Sequence, residues 1–182
     1  YLQYLEGTDT GEASVDIYLR VGTNYAKLEK YGEVIKAVDN ILKRYKLSNE
    51  LKSIEITLLK SRALFQLQRY SETISYLESQ TFKNQDFRIE KLFLTAGAYF
   101  NNKDFGAAIK NYHTLLDEFP DNRYATDVKV ALAQIYRLSG DNAGYEKLKL
   151  EIIESNATDE NTVLDAMFDL AVHYYSNSSF DS

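Results

Sequence analysis

Apolar residues in this chain recur at spacings of three and four, and short polar stretches interrupt them. One phrase occurs three times: Tyr25 followed by Tyr31-Gly-Glu-Val-Ile35, Leu64 by Tyr70-Ser-Glu-Thr-Ile74, and Tyr99 by Phe105-Gly-Ala-Ala-Ile109. Each has a bulky residue, an aromatic six positions on, a small or β-branched residue, then Ile. Spacings of three and four place one apolar stripe on each helix. Recurrence at about 35 residues predicts a helical solenoid.

The clearest unit runs from Ile89 to Asn122. Its stripe is Leu92, Ala96, Tyr99, Phe105, Ala108, Tyr112 and Leu115. Asn101-Asn102-Lys103-Asp104 breaks the pattern, which predicts two helices meeting at a tight turn. Pro120 lacks an amide proton and stops the second helix. The same pattern begins near Val15 (Tyr18, Gly22, Tyr25, Tyr31, Val34, Val38, Ile41) and near Ile54 (Thr57, Ser61, Leu64, Tyr70, Thr73, Leu77). It begins again near Thr126 (Leu132, Ala133, Tyr136), where Tyr145, Leu148 and Ile152 carry a shifted second stripe. A fifth unit begins near Leu164, with Met167, Leu170, Ala171, Tyr174 and Phe180. The starts lie 39, 35, 37 and 38 residues apart, so loops such as 46–50 and 155–159 are expected between units.

Composition narrows the picture. One Pro and eight Gly in 182 residues suit a chain that is mostly helix. With no Cys, disulfides, thiol nucleophiles and thiolate zinc sites are all excluded. No apolar run reaches about 18 residues, so no transmembrane helix is expected. The net charge is −6 and the Lys and Arg are scattered, which argues against a phosphate-binding surface and so against nucleic acid.

Ile89–Asn122 strongly resembles the tetratricopeptide repeat. That family has large, small and aromatic positions on a first helix, then aromatic, Ala and aromatic positions and a Pro on the second. The resemblance implies an all-α, right-handed superhelical solenoid of about five helix-turn-helix repeats across residues 1–182. The fifth repeat would be truncated, and Tyr1–Glu6 would be the tail of a preceding helix. The chain would then be a segment of a longer array.

In such repeats the first helix lines a concave face. Carried over position by position, one row is Leu19, Leu58, Phe93, Val130 and Phe168, and another is Ala26, Phe65, Phe100, Arg137 and Tyr175. A partner groove is therefore expected at Leu19, Leu58, Phe65, Phe93, Phe100, Arg137, Phe168 and Tyr175. The competing expectation is extra core between repeats. Asp16, Glu55, Glu90, Asp127 and Asp165 share one further position. They form an acidic rim for a basic peptide, or else they complement helix dipoles. A chaperone C-terminal carboxylate clamp is not expected, because Leu19, Thr23, Leu59, Glu90 and Leu94 stand where that clamp has basic and amide groups.

No catalytic, cofactor or metal residues are assigned, and no cofactor is expected. His113 and His173, the only histidines, fall in different repeats, whereas a metal site needs convergent ligands. There is no Gly-rich phosphate loop and no nucleophile elbow. Asn156-Ala-Thr158 and Asn177-Ser-Ser179 match the glycosylation pattern, mostly as chance in an Asn- and Ser-rich chain.

The resemblance implies a non-enzymatic scaffold for a protein or peptide partner. Leu115-Leu-Asp-Glu-Phe-Pro120-Asp-Asn-Arg-Tyr-Ala125 is similar to BamD-like and YbgF-like members of the bacterial envelope. A periplasmic or outer-membrane-associated role follows from that similarity, although a cytosolic assembly factor would carry the same phrase. The alternative is a sensory or regulatory repeat module of a larger signalling protein or enzyme.

Overall fold

The computed structural model describes residues 12–155 and 160–178. Among these the chain is all-α, with nine helices and no strand. They are α1 (Glu12–Lys27), α2 (Tyr31–Arg44), α3 (Glu50–Gln66), α4 (Tyr70–Glu78), α5 (Gln85–Asn101), α6 (Phe105–Glu118), α7 (Ala125–Ser139), α8 (Asn142–Glu154) and α9 (Glu160–Ser178). Tyr1–Glu6, Phe180 and Asn156–Thr158 lie outside the described residues.

The helix starts are written locally. Side-chain oxygens of Asn49, Asn84 and Asp141 accept the backbone amides of Lys52, Phe87 and Gly144 at 3.1, 2.9 and 2.9 Å. Each cap satisfies one amide that the first turn leaves without a partner. At the junction after α6, Asn122 accepts from the Tyr124 amide (2.7 Å) and donates to the Phe119 carbonyl (2.7 Å).

One helix ending occurs four times. Glu29, Gln68, Lys103 and Gly140 all have positive φ (56°, 58°, 64° and 78°). Around each, one amide bonds back across three residues and the next across five, as in Glu29→Ala26 with Lys30→Tyr25 and Lys103→Phe100 with Asp104→Tyr99. This is the Schellman ending, which closes a helix through one left-handed residue. The four residues are 39, 35 and 37 apart, the period of the apolar pattern. Only one of them is Gly, although the left-handed region costs an L-residue about 1 kcal/mol or more. Lys103→Gly is therefore expected to raise stability by about 0.5–1 kcal/mol. Gly140→Ala should lower it by a similar amount. Urea unfolding of the two variants checks both signs.

The chain divides into two compact units, 1–104 and 105–182. In the first, α1 packs on α2 and α3, α2 on α3, α3 on α4 and α5, and α4 on α5. One core cluster joins Val15, Tyr18 and Leu19 of α1 to Val38 and Ile41 of α2 and Ile56 of α3. A second joins Val34 and Ile35 to Ala63 and Leu64. Close crossing needs small residues: a Cβ on Gly22 would meet Leu59 Cδ2 at 3.1 Å. Ser61, at the equivalent place on α3, is fully buried and donates to the Thr57 carbonyl (2.8 Å).

In the second unit α6 packs on α7, α7 on α8, and α8 on α9. Leu132, Ala133 and Ile135 of α7 are fully buried, as are Tyr145 and Ile152 of α8, with Leu148 nearly so. Lys149 is buried on α8, paired with Asp169 of α9 at 2.6 Å. The repeat stripe on α9 is divided between buried and exposed positions. Leu170 is buried, but Leu164, Met167, Ala171 and Tyr174 are exposed, and Ala166 takes the packed position.

Tyr112 of α6 is buried, and desolvation, with a smaller contribution from Asp127, pushes its phenol up to about 12. The folded state thus holds this proton more tightly than the unfolded chain, whose phenol titrates near 10. The stabilisation is complete below pH 10 and is lost as pH rises from 10 to 12, up to about 2–3 kcal/mol. Tyr112→Phe should flatten the fall in urea stability between pH 9.5 and pH 11.5, both values being about those that bracket the shift.

Candidate functional site

The face of the first unit formed by α1, α3 and α5 is the candidate site. Its position follows from periodicity and two ion pairs. Glu55, Leu58, Arg62 and Phe65 recur at three and four along α3, and Glu90, Phe93, Gly97 and Phe100 do so along α5, so each set shares one side of its helix. Arg62 donates to Glu90 Oε1 from Nε (2.9 Å) and Nη2 (2.6 Å), which brings these two sides together. Lys52 Nζ lies 2.9 Å from Asp16 Oδ1 and ties α3 to α1.

Between α1 and α3 lies a hollow of about 550 Å³. Its walls are Asp16, Leu19, Arg20, Thr23, Asn24, Lys27 and Glu55. The lining is mixed, with acids toward the start of α1 and cations and an amide along it. The Thr23 hydroxyl donates to the Leu19 carbonyl at 2.9 Å, so it is held by its own helix and not by a base. Toward α5 the face turns apolar: Leu58, Phe65, Phe93 and Phe100 are half-buried, and Phe65 meets Tyr70 edge-on at 5.3 Å between ring centroids. A surface with this grading can hold a segment by backbone-tolerant polar contacts at one end and by side-chain burial at the other.

Two sequence expectations are corrected here. Leu19 is only 6% exposed and belongs to the core cluster of α1, α2 and α3, so it forms the floor of the hollow and offers no free anchor. The side chain of Glu90 is 3% exposed and held by Arg62, so it is no part of an accessible acidic rim. Asp16 is half-buried and paired with Lys52, while Glu55 is exposed. Arg137, Phe168, Tyr175, Asp127 and Asp165 are exposed and belong to the second unit.

Arg20, Asn24, Lys27 and Arg62 were not singled out by sequence. Arg62 sits four residues after Leu58 and three before Phe65, a spacing that already placed it on this face.

No protein-family model matches this chain, and no curated protein does.

A second hollow, of about 530 Å³, lies beside α2, α3 and α4. Its charges are satisfied among themselves: Lys60 bonds Asp39 and stands 4.8 Å over the Tyr76 ring, and Arg69 is paired with Glu72. His113 shares a hydrogen bond with the Tyr136 hydroxyl (3.0 Å), and His173 lies 3.0 Å from Glu146. Among the described residues, no group of three His, Asp or Glu converges as a metal site, and no helix is long and apolar enough to cross a membrane.

Proposed function

We propose that this chain is a protein-interaction scaffold of tetratricopeptide type, a right-handed solenoid that holds a partner segment on its first helices and performs no chemistry itself. The observation that carries this reading is the hollow between α1 and α3. It gathers Asp16, Leu19 and Thr23 with Glu55, the residues that the repeat register assigns to an inner face. The fourfold Schellman ending at the period of the apolar pattern supports the repeat reading independently. Small buried residues at Gly22, Ser61, Ala96 and Ala133 support it again. The partner is a protein segment with polar groups at one end and large apolar side chains at the other. A setting in cell-envelope assembly rests on the resemblance of residues 119–125 to the matching phrase in envelope members of the repeat family.

The test is a crosslinking pull-down from the cells that make the protein. It compares wild type with a Glu55→Lys/Lys27→Glu variant, whose changed side chains are both exposed. Specific prey should be lost in the variant while the helical circular dichroism is unchanged. Identical prey with both would move the partner off this face.

A further inference from the structure

Helix α9 is apolar around most of its circumference. Ala166 and Leu170 face the protein, and α9 packs on α8. Away from them lie Leu164 (61% exposed), Met167, Phe168 (70%), Ala171, Val172 and Tyr175 (78%), while the Tyr174 hydroxyl turns back to Glu146 of α8 (3.2 Å). At 100° per residue these six span an arc of about 140°, wider than the roughly 100° stripe a surface helix needs to cover its own core. Within this arc, Leu164, Phe168, Ala171 and Tyr175 follow the 4-3-4 spacing of a helix-pairing seam.

We propose that this outward face of α9 docks an amphipathic helix of another protein, apolar on one side and flanked by Lys and Arg. That it takes a helix follows from the molecule itself. Ile54, Thr57, Ser61 and Leu64 on α3 have the spacing of Leu164, Met167, Ala171 and Tyr174, and all four are buried beneath packed helices, α4 among them. That the occupant is basic follows from charge. Across its 19 residues α9 carries no Lys or Arg, and of its acids Asp169 is held by Lys149 while Glu160 and Asp165 are exposed. Residues 105–182 hold six Lys and Arg against thirteen Asp and Glu, whereas residues 1–104 hold fifteen against fourteen. A second copy pairing through α9 would set like charges against each other, while a basic helix would find opposite ones. This surface goes beyond the α1–α3–α5 site and stands or falls without it.

The test uses three labelled synthetic peptides that form helices. Two share one Leu/Phe stripe flanked by Lys or by Glu, and the third scrambles the Lys-flanked sequence. Fluorescence anisotropy with the full chain should show the Lys-flanked helix binding at least tenfold tighter than the other two. Leu164→Ser/Phe168→Ser should weaken it at least tenfold, and Asp165→Asn severalfold. All three residues are exposed, so an unchanged thermal melt is expected and separates lost docking from lost fold. Glu55→Lys/Lys27→Glu should leave this binding intact. Equal binding of the Lys-flanked and scrambled peptides, or binding indifferent to Leu164→Ser/Phe168→Ser, would overturn the proposal. So would a dimer in sedimentation equilibrium that the same double variant dissolves, because the occupant would then be a second copy.

Discussion

Arg62→Ala is expected to destabilise the chain by about 2–3 kcal/mol, more than an exposed arginine usually costs. The reason is the asymmetry of its ion pair. Arg62's side chain is 54% exposed, but the carboxylate it holds is buried beside α3. Removing Arg62 strips two charge-assisted hydrogen bonds from Oε1 of a carboxylate whose side chain is only 3% exposed. The penalty is the loss of two hydrogen bonds to a buried charge, not the worth of a surface contact. Glu90→Gln removes the charge but keeps an oxygen that can accept from Arg62, and it should cost only about 1 kcal/mol. The double variant Arg62→Ala/Glu90→Gln should then be more stable than Arg62→Ala alone, a coupling of at least about 1 kcal/mol in the cycle. Urea unfolding of the four proteins measures it. Simple additivity would mean that Glu90 is solvated well enough to stand without Arg62.

Ala133→Leu is expected to cost about 2–3 kcal/mol, because three added carbons must enter a fully buried site on α7. Ala96→Leu on α5, at an equally buried site, should behave alike. Ala171→Leu is the informative control. It occupies the same place in the apolar repeat, yet it is exposed on α9, so its cost should stay within about 0.5 kcal/mol. Thermal or chemical unfolding of the three variants separates the repeat pattern from the packing actually adopted. If Ala171→Leu destabilised as much as Ala133→Leu, the packed face of α9 would be the one its sequence period suggests.

That contrast shows what the chain's pattern can and cannot reveal. Where one side of a helix is apolar and the other polar, the period decides the buried side. Val34, Val38 and Ile41 on α2, and Tyr145, Leu148 and Ile152 on α8, are buried where their spacing put them. The turn at Asn101–Asp104 was equally legible, because four polar residues in a row leave nothing for a stripe to continue. On α9 the apolar residues cover most of the circumference, so spacing alone cannot choose which of them is packed. The choice is made by α8, through Lys149 and the residues around it. Leu19 and Glu90 were misjudged for a related reason. Each lies on the expected side of its helix, but its burial comes from neighbours distant in sequence, α2 and α3 for Leu19 and Arg62 for Glu90. Helix type and turn position are local properties. Accessibility depends on what packs across the helix.

The central claim is that a partner sits on the face formed by α1, α3 and α5. Hydrogen–deuterium exchange of the chain, alone and with the partner recovered by crosslinking, tests it most directly. Bound partner should slow exchange in peptides from 12–27, 50–66 and 85–101 and leave 31–44 and 70–78 unchanged. Protection confined to 31–44 and 70–78 would place the partner on the other helices and contradict the account.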